Sequence, residues 1–166
     1  MSENSSAHTR PYKVGEGIFS AISVGTVFIL IGIIYVAALP TSLWLKIVAF
    51  FGSFNVLQVP NTGIYLPAPA VPAAHTVFYN AVFQFCLGLS IIQVILLALR
   101  LAWHSPIGKT AETVGHLVFW LGASYLIIML LNDATTLETW FVFWAAILVV
   151  LGVSLIARGL VLFARR

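Results

Sequence analysis

Four stretches of this chain, residues 18–39, 76–99, 113–132 and 139–157, contain no Asp, Glu, Lys or Arg. Each is about the 20 residues that an α-helix needs to cross a hydrocarbon layer ~30 Å thick. Inside such a layer every peptide N–H and C=O must be satisfied within its own segment, so the stretches have to be helices. A membrane barrel would instead need alternating strands of about ten residues.

Composition agrees with a lipid-facing surface. Only 8% of the 166 residues are charged and 61% are hydrophobic, whereas soluble domains carry roughly 25% charged residues. The expected fold class is an all-α integral membrane protein, a four-transmembrane-helix bundle with a short interfacial helix in its first outer loop. The expected division is a flexible cytoplasmic tail over 1–17 and a membrane domain over 18–166, with helices at 18–39, 76–103, 110–132 and 137–163. A cleavable leader is the rival for the first segment, but its apolar part would span only about 7–15 residues.

Orientation follows from charge. Arg10, Lys13, Arg100, Lys109, Arg158, Arg165 and Arg166 fall on one side of the four spans, and Lys46 falls on the other with Asp133 and Glu138. Basic residues stay cytoplasmic, which places both termini inside and predicts a multi-pass protein of the plasma membrane. The net charge of +3 has no basic patch beyond the C-terminal arginines to engage nucleic acid. The lone Cys86 can form neither an intrachain disulfide nor a multi-cysteine metal site. Four helices with both ends inside is a topology shared with connexin-like and claudin-like families, but the extracellular cysteines that pin those outer loops have no counterpart here, and topology alone assigns no family.

The outer loop, 40–75, begins with a short helix expected over 42–51, with Trp44 and Phe51 on the face that caps the bundle. Ten residues cannot span, so this helix lies along the interface or over the helix ends. Pro60, Pro67, Pro69 and Pro72 then make a stiff, extended segment with a turn at Pro60-Asn61-Thr62-Gly63.

No catalytic, phosphate-binding or zinc motif occurs, and the spans contain no Asp, Glu, Lys or Arg of the kind that proton relays and membrane hydrolases usually need. A non-enzymatic protein without cofactor or metal is expected. Asn80 and Gln84 are four residues apart and share one helix face. They either bond between helices or line a wet path. His116 is the third polar residue of interest, either a hydrogen-bonded structural residue or, far less simply, a haem or metal ligand that has no second histidine at its depth. Small residues recur at a spacing of seven: Gly25 and Gly32, Ala81 and Gly88, Gly115 and Gly122, and Ala145, Gly152 and Gly159. Such seams let helices approach closely. These features point to a self-associating subunit of a channel-like or scaffolding assembly in the lipid bilayer, with an accessory subunit of a larger complex of other membrane proteins as the alternative.

Overall fold

The computed structural model describes residues 10–38, 42–103 and 105–164, with side chains from residue 21 onward. The expected tail residues 1–9, together with His8 and His104, lie outside the described residues. Five helices and one hairpin follow in the order α1 (Arg10–Ala37), α2 (Leu43–Gly52), β1 (Phe54–Gln58), β2 (Tyr65–Pro69), α3 (Thr76–Ala102), α4 (Ile107–Leu130) and α5 (Leu137–Ala164), and a 3₁₀ turn at Pro72–His75 leads into α3.

Among the described residues, three helices, α3, α4 and α5, are long and apolar enough to cross a membrane. Helix α1 begins at Arg10, so helix also occupies residues 10–17, which the polar composition assigned to a tail. Its apolar part with described side chains, Ala21–Ala37, falls short of that length.

Helix α4 is the centre, packed against both α3 and α5. It buries Thr110, Ala111, Thr113, Gly115, Ala123, Ser124 and Ile127. Glycine decides how closely α5 approaches: a Cβ built on Gly122 would lie 2.6 Å from Val150 Cγ1, and one on Gly115 would lie 3.4 Å from the Ser154 carbonyl oxygen. Only a residue without a Cβ accommodates the first contact. The turn between these helices closes on itself. Thr135 Oγ1 accepts from the Asn132 N–H at 2.7 Å and sits 2.7 Å from the Asn132 carbonyl oxygen and 2.9 Å from that of Leu130. Thr136 Oγ1 accepts from the Thr139 N–H at 3.2 Å and so caps α5, with Glu138 in the first turn beside the positive end of the helix dipole.

The outer loop departs from an all-α chain, because its proline-rich part is an antiparallel hairpin. The pairs run from Phe54 with Pro69 to Gln58 with Tyr65. The Val59 N–H donates to Ile64 O at 2.8 Å and the Ala70 N–H to Ser53 O at 2.9 Å, and hydrogen-bonded pairs alternate along an antiparallel ladder. The bonded pairs are therefore 53 with 70, 55 with 68, 57 with 66 and 59 with 64. Pro67 and Pro69 fall between them, at positions whose nitrogen points away from β1, where a missing N–H costs no ladder bond. Asn61, at φ 59°, supplies the left-handed residue of the turn.

The core sits at the hairpin end of the bundle. Phe50 of α2, 5% exposed, meets the rings of Phe54 at 5.0 Å, Phe78 at 4.4 Å, Tyr79 at 6.0 Å and Trp140 at 6.0 Å. The docked face of α2 is Leu43, Ile47 and Phe50, at i, i+4 and i+7. The expected cap residues Trp44 and Phe51 are instead 63% and 65% exposed. Phe51 still touches the rim of the cluster through Phe54, with ring centroids 6.3 Å apart.

Candidate functional site

Most hydroxyl side chains within the long helices bond to their own helix. Ser90 donates to Leu87 O at 2.7 Å, Thr113 to Lys109 O at 3.0 Å, Ser124 to Leu121 O at 2.8 Å and Ser154 to Leu151 O at 2.7 Å. A hydroxyl that bonds to its own helix asks nothing of a neighbour.

Asn80 and Gln84 differ. Both are exposed on the outward face of α3, which continues through Ile91, Ile95 and Ala98, while Tyr79, Cys86, Leu89, Ser90 and Leu96 are buried on its other side. Among the described residues, neither carboxamide has a hydrogen-bond partner. They stand four and eight residues into α3, at depths of about 6 and 12 Å along its axis. A primary amide has two donors and an acceptor with two lone pairs, so the stripe presents several unfilled positions on an otherwise apolar surface.

The stripe is bounded by α1. One turn beyond Gln84, a Cβ on Gly88 would lie 2.6 Å from Leu30 Cδ1, which marks where α1 crosses α3. The crossing covers Gly88 and leaves Gln84 and Asn80 open.

The other expected residues are placed as follows. Ala81 is half-buried beside Asn80. Gly25, Gly32, Gly152 and Gly159 have open space where a Cβ would stand, and Ala145 is exposed. His116 is exposed, nine residues on from Ile107, which is at the opposite end of the bundle from the start of α3. It is not brought together with the carboxamides. Among the described residues, no three His, Cys, Asp or Glu side chains lie close enough to hold a metal ion. The cleft of about 230 Å³ beside Tyr35, Ser42, Leu43, Trp44 and Leu45 offers one hydroxyl and one phenol.

A second polar feature escaped the sequence. Ser53 Oγ lies 3.0 Å from His75 Nε2 and donates to Phe50 O at 2.7 Å, tying α2, the hairpin and the 3₁₀ turn together. Burial and, secondarily, the positive charge of Lys46 hold the His75 pKa below its ordinary value of 6.5. Tyr79 Oη donates to Pro72 O at 3.0 Å across the same junction. The buried Trp140 Nε1 has no partner and faces rings on several sides. No motif in the sequence marked this junction, since α2 is apolar on nearly every side.

The fold and its outward polar stripe define a helical protein with three helices of membrane-crossing length. Comparison with protein-family models, curated proteins and solved structures found no match.

Proposed function

We propose that this chain is a four-span protein of the plasma membrane, with both termini cytoplasmic, that acts by associating with further copies of itself as a subunit of a channel-like or scaffolding assembly. It catalyses no reaction in this reading. Helix α1, 28 residues long, is the fourth span, at ~1.5 Å per residue more than the bilayer core requires.

The observation that carries the proposal is the open pair Asn80 and Gln84. An amide left unbonded in hydrocarbon costs roughly 2–7 kcal/mol, and the single chain leaves two of them on the face that would meet lipid. A partner relieves that cost. A carboxamide is both donor and acceptor, so identical groups can bond to one another, as two carboxylates or two ammoniums cannot. Copies inserted in the same direction and related by a two-fold axis along the membrane normal bring residues of equal depth together, Asn80 to Asn80 and Gln84 to Gln84.

The test is the mass of the purified protein in detergent. The wild-type chain is expected at a multiple of 18.1 kDa, and the double variant Asn80→Leu with Gln84→Leu at the monomer mass with its helix content intact. A monomeric wild type that recovers an assembled mass only with other membrane proteins would point to an accessory subunit instead. A monomer under every condition would remove the proposal.

A further inference from the structure

The two edges of the hairpin are not equivalent. On β2 the outward positions are Tyr65, Pro67 and Pro69, and the two prolines leave that edge with a single outward N–H. On β1 the outward positions are Phe54, Val56 and Gln58, because the bonded pairs of the ladder are 53 with 70, 55 with 68, 57 with 66 and 59 with 64. Val56 is 70% exposed, and Asn55 and Gln58 are exposed beside it. Among the described residues, no hydrogen bond occupies the outward N–H and C=O of Val56. Proline on one edge is a common way of preventing strand addition there, and here it leaves the other edge competent.

We infer that β1 is a strand-pairing edge for β1 of a second copy, joining two hairpins into one four-stranded antiparallel sheet on the outer side. The register is set by the pattern of outward groups. Pairing centred on Val56 places Val56 opposite Val56, with Phe54 opposite Gln58 at either end, so that all three outward residues of each strand find partners. The contact is isologous and closes on itself, since the proline edges that remain outside accept no further strand and the sheet stops at a pair. The inference uses a different surface from the Asn80 and Gln84 stripe and rests on the proposed self-association through that stripe, which holds the two copies together.

The experiment uses the full chain in liposomes, with Cys86→Ala to remove the native thiol. Across a hydrogen-bonded antiparallel pair the Cα atoms are about 5.5 Å apart, within reach of a disulfide. Val56→Cys is expected to oxidise to a covalent dimer. Tyr65→Cys, on the far strand of the same hairpin and, with three strand spacings across and four residues along, roughly 20 Å from its mate, is expected to remain monomeric on a denaturing gel. Amide exchange gives a second readout that needs no cysteine: Val56 should be protected in the assembled wild type and exchange freely in the monomeric Asn80→Leu, Gln84→Leu chain, while Leu57 is protected in both. Equal crosslinking at the two positions, or none at either in a chain of assembled mass, overturns the strand pairing and leaves the function standing. A monomeric mass with no crosslink overturns both.

Discussion

Helices α4 and α1 are alike in length and apolar character, yet the fold treats them in opposite ways. Helix α4 is packed on two sides, with Gly122 and Gly115 closed against Val150 and Ser154. Among its described side chains, helix α1 meets α3 at the Leu30 crossing over Gly88 and buries only Ile34 of the large ones, while Phe28, Ile29, Ile33 and Val36 are each at least 60% exposed. The lesson is that hydrophobicity brings a helix to a membrane but does not dock it. Docking requires shape, and lipid solvates Leu and Ile as well as a neighbouring helix does. Helices α3 to α5 with their outer cap are therefore the rigid part of the molecule, and α1 is its loosely attached member.

That contrast can be broken by mutation. The largest effect is expected at the aromatic junction: Trp140→Ala empties the space among Phe50, Tyr79 and Phe143 and should cost about 3–5 kcal/mol. Trp140→Phe should cost far less, since it also removes a buried N–H that has no acceptor. Thermal unfolding in detergent ranks the two, and equal losses would show that the indole N–H is bonded after all. Next comes Gly122→Leu, which drives a side chain into Val150 and should cost about 1–3 kcal/mol. Gly152→Leu, with open space around it, should leave the monomer unaffected; if it melts the protein equally, α5 packs differently from this arrangement.

Smaller effects sharpen the α1 side. Gly88→Leu should displace α1 at Leu30 and raise the reactivity of a Leu30→Cys probe, with little change in the melting of α3 to α5. A large fall in melting temperature would mean that α1 belongs to the rigid part. The smallest effect concerns the cap and pH. Because His75 has its pKa lowered in the folded chain, the unfolded chain binds the proton more readily, and stability rises with pH across the window below 6.5. The contribution of His75 is complete above pH 6.5 and is lost as pH falls toward the folded pKa. A modest drop in cap stability between pH 7 and pH 5.5 should vanish in His75→Gln.

Much of this was legible in the residues. The absence of ionised side chains over 76–99, 113–132 and 139–157 was enough to locate three helices of membrane-crossing length, because no other arrangement of so apolar a chain satisfies its backbone in lipid. The docked side of α2 was not legible. Apart from Lys46 and the terminal glycine, Leu-Trp-Leu-Lys-Ile-Val-Ala-Phe-Phe-Gly is apolar all round, so periodicity could not choose between Leu43 with Phe50 and Trp44 with Phe51. The hairpin was hidden by its prolines. Pro67 and Pro69 suggest an unpaired segment until the register shows that their spacing of two puts both on the outward side. Asn80 and Gln84 were recognisable as a pair, but whether a neighbouring helix covered them depended on where α1 crossed, and a spacing of seven between small residues marks a groove without naming what lies in it.

The Thr135 turn carries one more consequence. Its hydroxyl, the Asn132 side chain and the Thr136 cap satisfy the polar groups of the chain reversal without help from any other element. Helices α4 and α5 can therefore leave the site of synthesis as a ready-made pair, already locked at Gly115 and Gly122. Such a pair needs nothing from α1 or α3 to form, and α3 then packs on it mainly through α4.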